Sequence, residues 1–167
     1  MERDKVLVEE LADRTGGAAA SGADHAQAQP AQLGQSLGAE LLTPTRIYAR
    51  DCLALADACA VRTFAHVTGG GLAANLARVL PPAADAVLER GSWQPGPVFG
   101  LLAERGDVAA AEMEQTLNMG VGMVAVVAPA DADRALRLLA ERAVPSWVIG
   151  QITTGSGTAR LTGQHPA

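Results

Sequence analysis

The sequence predicts an α+β domain, a mixed sheet with helices packed on one face, and three observations carry that expectation. Short apolar runs of strand character (Phe64 to Val67, Met123 to Ala128, Ser146 to Ile152) alternate with stretches of helical periodicity. Glycine or proline marks most of the junctions between them. The composition, 49% apolar and 19% charged over 167 residues, is that of a globular chain long enough to bury one core of ordinary size.

From the N-terminus, residues 2–13 carry Val6, Leu7, Leu11 and Ala12 at near-helical spacing, which reads as a short helix. From Thr15 to Gln35 the chain turns to Gly, Ala, Ser and Gln, a linker composition with little to bury, and His25 within it reads as a solvated loop residue. The chain thus divides into an N-terminal helix and flexible linker (1–35), a folded domain (36–163) and a tail (164–167). Thr43-Pro44-Thr45-Arg46-Ile47-Tyr48 leads into a helix built on Cys52, Leu53, Leu55 and Ala56 that ends near Ala60. Phe64 to Val67 is a buried strand, Gly70 to Leu80 a helix stopped by Pro81-Pro82, and Asp85 to Glu89 a further strand. Ser92 to Pro97 holds two prolines and is a loop. Two short helices follow (Val98 to Glu104, Val108 to Leu117), then the turn Asn118-Met119-Gly120-Val121-Gly122 and a central strand, Met123 to Ala128. Pro129 opens a helix running to about Arg142. Ser146 to Ile152 is a strand, and Thr158 to Leu161 closes the sheet as an edge.

Several function classes fall away on composition. The net charge is −5 and the thirteen basic residues form no run, which excludes a nucleic-acid groove. Five aromatics are too few for a base-stacking platform. Cys52 and Cys59 lie two helical turns apart, about 10 Å, too far for a disulfide, and read as reduced core or boundary residues. The start Met1-Glu2-Arg3-Asp4 lacks a signal-peptide pattern, and the longest apolar run is too short to span a bilayer. The expectation is a soluble protein of a reducing compartment, with neither membrane nor nucleic acid as partner.

The segment His66-Val67-Thr68-Gly69-Gly70-Gly71 is the first candidate site. Glycines there let a ligand or a second backbone approach closely, and free amides at the following helix start favour an anion. Thr68 adds a hydroxyl, and Asn75 and Arg78, three apart, share a helix face. The triplet equally reads as a tight turn, since it matches neither G-x-x-x-x-G-K-[ST] nor G-x-G-x-x-G. His66 has no nucleophile arranged beside it. Asn118 and Gly120 form a second polar turn at the mouth of a buried strand. Glu112 and Glu114 read as a solvated helix face, Asp131 and Asp133 as charges at a helix start, and no metal cluster emerges.

Five segments in order carry a resemblance: Leu41 to Tyr48, His66 to Leu72, Ser92-Trp93-Gln94 with Pro97-Val98-Phe99, Asn118 to Met123, and Trp147 to Gly150. From about Ser36 to Ile152 the chain resembles the C-terminal half of phosphoribosylformylglycinamidine cyclo-ligase, the aminoimidazole ribonucleotide synthetase family. The resemblance implies a cytoplasmic, dimeric purine-biosynthesis enzyme that uses ATP and Mg²⁺ to activate the formyl amide oxygen of formylglycinamidine ribonucleotide and close the imidazole ring. It implies an N-terminal ATP-binding domain, in the same dimer or on a separate chain, and a substrate cleft between domains. By motif, Thr68, Gly69, Gly70 and Gly71 face that cleft, with Asn75, Arg78, Asn118 and Gly120 near it and His66 as a further candidate; the catalytic residues stay unassigned. Gln115 and Leu117 stand where the family usually has Arg and Phe, and Gln cannot replace a bidentate guanidinium. The chain is roughly half the family's length and its Lys5 to Val8 segment matches only weakly, so the expectation is inactivity without the other half. The alternative is a non-catalytic module that binds a phosphorylated ligand or docks a protein.

Overall fold

The structure, a computed structural model, describes residues 3–10, 30–31 and 33–166. His25 and most of the expected linker lie outside the described residues. Six strands, β1 (Lys5–Glu10), β2 (Val61–His66), β3 (Ala84–Glu89), β4 (Val121–Val127), β5 (Ser146–Thr154) and β6 (Ala159–Thr162), form one sheet in the order β2-β4-β1-β5-β3-β6. Only β3 and β6 run parallel, so the sheet is mixed. Around it lie α1 (Leu37–Leu41), α2 (Ala49–Ala58), α3 (Gly71–Ala77), α4 (Pro97–Gly106), α5 (Ala110–Thr116) and α6 (Ala132–Glu141).

The expected N-terminal helix is instead strand β1, held between β4 and β5 in the middle of the sheet. Val6 and Leu7 are consecutive, both almost fully buried, and belong to two different core clusters. Neighbouring strand residues point to opposite faces, so a strand covered on both sides needs apolar residues in succession. A run this short does not distinguish helix from buried strand by its period. Residues 5–10 are therefore part of the domain rather than an appendage to it.

The same observation corrects the expectation of helices on one face, while the α+β class with a mixed sheet stands. Along β4, Val124 and Val126 join Leu72 and Leu76 of α3 in one cluster. Ala125 and Val127 join Leu55 of α2 and Ala135 and Leu139 of α6 in the other. With no polar residue in this stretch of β4, neither face can be left to water.

Two details revise the α6 boundary. A 3₁₀ turn, Pro129–Asp131, precedes the α-helix proper. The Asp131 carboxylate does more than offset a helix dipole: its Oδ2 accepts the Ala60 N–H at 2.8 Å, tying the entry of β2 to the start of α6. Asp131→Ala is expected to cost about 1 kcal/mol, read from the urea midpoint. Cys59 is buried and Cys52 half-buried, and neither is in a disulfide; burial pushes the Cys59 thiol up from its ordinary range. Among the described residues no helix is long and apolar enough to cross a membrane.

Candidate functional site

Both glycine-marked turns lie at the same end of the sheet. β2 runs out into Val67-Thr68-Gly69-Gly70, and antiparallel β4 enters from Asn118-Met119-Gly120, with His66 opposite Met123. The Val67 N–H donates to the Gly122 carbonyl at 2.9 Å and extends the pairing into the turns.

The three glycines do different work. Gly69 has open space around it. Gly70 caps α3 with φ +96°, a conformation that disfavours other residues. Gly71 has φ +76°, and a Cβ there would sit 1.9 Å from the main-chain oxygen of Glu114 in α5, so the glycine is what lets α5 approach.

Asn75 shapes the turn from inside. It is buried, and its Nδ2 donates to the carbonyls of Gly71 at 2.7 Å and of Thr68 and Gly69 at 3.3 Å. Its Oδ1 accepts from Arg78 Nη1 at 3.0 Å, as the shared helix face leads one to expect. The carbonyls of the turn are thereby drawn inward. Among the described residues the amides of Gly69 and Gly70 donate to no protein acceptor, and Thr68, Gly69, Gly70 and Arg78 are exposed. An exposed loop with inward carbonyls and open amides can receive an anionic or carbonyl-bearing ligand.

In the second turn Asn118 Oδ1 accepts the Gly120 N–H at 3.0 Å and its carbonyl accepts the Val121 N–H at 3.0 Å. Met119 and Gly120 both have positive φ, +52° and +91°. The Met119 carbonyl accepts the indole N–H of buried Trp93 at 3.1 Å. His66 is exposed, with its ring edge-on to Tyr48 at 5.6 Å. Among the described residues no three His, Cys, Asp or Glu side chains converge as metal ligands.

One cluster beside these turns escapes sequence reasoning. Glu114, expected on a solvated face with Glu112, has a side chain only 15% exposed. Arg90, 24 residues earlier, grips it with both prongs, Nε at 2.7 Å and Nη2 at 2.8 Å, and donates through Nη1 to the Gly163 carbonyl. His165, from the expected tail, brings Nε2 to 3.3 Å of the same carboxylate and sets its ring edge-on against Trp93 at 4.5 Å. Glu112 is exposed, as expected. A contact between a 3₁₀ turn, a helix and a chain end has no local period to betray it.

The Arg90 guanidinium holds the Glu114 carboxyl below its usual range, and Glu114 in turn raises Arg90. Because the folded-state value lies below the unfolded one, the stabilisation is complete above the ordinary glutamate range, near pH 4.3, and is lost as pH falls through the lower folded value. Urea unfolding between pH 7 and pH 3 is expected to show a steeper acid loss for the native chain than for Glu114→Gln.

The family described as AIR synthase related protein, C-terminal domain, matches residues 4–161. A Streptomyces fradiae protein named provisionally as a phosphoribosylformylglycinamidine cyclo-ligase is 57% identical over 122 residues, 73% of this chain and 67% of that protein. Proteins named phosphoribosylformylglycinamidine cyclo-ligase from Anaeromyxobacter sp. (strain Fw109-5) and Sorangium cellulosum (strain So ce56) are 49% and 50% identical over 126 residues. This chain spans 37% and 36% of their lengths, and the matches cover 75% and 74% of it. Among solved structures, thiamine-monophosphate kinase from Stenotrophomonas maltophilia K279a aligns over 99% of this chain and 52% of its own, with TM-score 0.62 at 17% identity. The E. coli hydrogenase maturation protein HypE aligns over 98% of this chain and 47% of its own, with TM-score 0.59 at 17% identity. At that identity they share the fold. With a family match across nearly its whole length, the chain belongs to the AIR synthase related protein family and carries that family's C-terminal domain.

Proposed function

We propose that this domain is the substrate-facing part of an ATP-dependent cyclo-ligase that converts formylglycinamidine ribonucleotide to aminoimidazole ribonucleotide in the cytoplasm. The observation that carries the reading is the Asn75 side chain, which gathers three carbonyls of the glycine turn and leaves the Gly69 and Gly70 amides open. With the Thr68 hydroxyl and the Arg78 guanidinium they form a donor-rich edge suited to the ribonucleotide phosphate. The Asn118–Gly120 turn lies alongside, and His66 flanks it. The names of the relatives support the chemistry, and the resemblance to their family supplies ATP and Mg²⁺. On this reading the nucleotide and its ion are held by a second domain, in a homodimer or on a separate chain.

Isothermal calorimetry with formylglycinamidine ribonucleotide tests this, first on the chain alone and then mixed with the N-terminal domain of the Anaeromyxobacter relative. Binding that weakens in Arg78→Ala supports the reading, and absence of heat in both experiments refutes it. A second reading, a protein-docking module without catalysis, is favoured by one observation. Leu41, Leu42, Ile47 and Leu53, close in sequence, are 59–81% exposed, and large apolar side chains left to water are what a docking face would cover. Light scattering showing a monomer that gains no partner from the added domain counts against both the docking reading and the homodimer.

A further inference from the structure

We propose that Glu114 is the positioning residue that sets the Gly69–Gly71 turn against the Asn118–Gly120 turn. The proposal rests on the reading that these two turns meet a phosphorylated ligand. Glu114 touches the first turn directly and is linked to the second through Arg90 and Trp93. Its main-chain oxygen lies against Gly71, within the space a Cβ would take, so the backbone of α5 is seated directly on the first turn. Its carboxylate reaches the other way, to the two prongs of Arg90.

Arg90 opens the 3₁₀ turn Arg90–Ser92, which delivers Trp93, and the Trp93 indole N–H holds the Met119 carbonyl in the second turn. α5 itself ends at Thr116, just before Asn118. The circuit from Glu114 through Arg90, Trp93 and Met119 back along α5 is therefore closed. His165 braces it from outside, with Nε2 at 3.3 Å from Glu114, Nδ1 at 3.4 Å from the Trp93 carbonyl and its ring against the indole.

The chemistry calls for a carboxylate. Two oxygens face three nitrogen groups (Arg90 Nε, Arg90 Nη2 and His165 Nε2) with the side chain largely shielded from water. Glutamine in the same place turns an NH₂ toward the guanidinium and leaves one donor unmatched. Lysine at position 90 keeps the charge and loses the fork.

Nuclear magnetic resonance of the ¹⁵N-labelled full chain, with Trp93→Phe used to assign the indole signal, reads the network without any ligand. In Glu114→Gln the Trp93 indole and the Gly70 and Gly120 amides are expected to shift, while signals from Leu55 and Leu139 on the opposite face stay in place. Arg90→Lys is expected to move the same signals in the same direction, which general destabilisation does not. Formylglycinamidine ribonucleotide is then expected to bind Glu114→Gln about tenfold more weakly than the native chain. Unmoved Trp93 and Gly120 signals in both variants, or equal affinity, overturn the proposal. If the native chain binds no ribonucleotide, the ligand reading falls, and the ligand-free spectra decide the positioning role alone.

Discussion

Replacing Gly71 with alanine is expected to cost the domain about 3–5 kcal/mol, read from the urea midpoint with the slope held constant. Two penalties act together. The residue sits at φ +76°, where a Cβ meets its own backbone. That Cβ also lands 1.9 Å from the Glu114 carbonyl oxygen and 3.0 Å from its carbon, whereas non-bonded contacts settle near 3.5 Å. The obstruction is main chain, so no rotamer change relieves it, and α5 has to retreat. In retreating it draws the Glu114 carboxylate off Arg90 and slackens the Asn118–Gly120 turn. A loss of this size is a large fraction of the 5–15 kcal/mol typical of a domain. Gly69→Ala is the control, two residues away in the same triplet: nothing stands within 4 Å of its Cβ and its φ is not left-handed, so a change within about 0.5 kcal/mol is expected. Equal effects at the two positions refute the close approach of α5.

That contrast also shows how far the sequence is legible. Three consecutive glycines announce a turn, and local chemistry suffices to put a strand before them and a helix after. What separates Gly71 from Gly69 is the α5 backbone, more than forty residues later, which no local pattern encodes. The strands β4 and β5 are readable because their apolar runs are bounded by Gly, Pro and Asn. Strand β1 is misread because Val6 and Leu7, buried on opposite faces, satisfy a helical spacing as well as a doubly covered strand. At the site, the shared face of Asn75 and Arg78 follows from their spacing of three. The carbonyls that Asn75 collects do not, since they depend on how the turn folds back over the helix. The Arg90–Glu114–His165 cluster is the extreme case, three polar residues whose meeting is set by packing alone.

Asn75→Asp is expected to destabilise the domain by about 2–4 kcal/mol at neutral pH although it changes almost no volume. The Nδ2 that donates to three carbonyls becomes an oxygen that faces them at 2.7–3.3 Å, so attraction turns to repulsion on that side. The opposite oxygen keeps its bond from Arg78 Nη1 and gains charge, which offsets part of the loss. The sign of the pH dependence separates this account from loose packing. Only the protonated acid can donate to the Gly71 carbonyl, so folding favours the neutral form and raises the introduced carboxyl above its unfolded value of about 3.9. Below that unfolded value both states are protonated and the penalty is smallest. As pH rises through the folded value the penalty grows to its full size. The gap between this variant and the native chain is therefore expected to narrow in acid, even while the Glu114–Arg90 contact weakens in both. Asn75→Ala provides the comparison, because it removes donor and acceptor together and leaves nothing at that position to titrate. Its gap to the native chain stays constant over the same range. A pH-independent gap for Asn75→Asp as well refutes an amide turned toward the carbonyls, and with it the outward presentation of the Gly69 and Gly70 amides on which the proposed function rests.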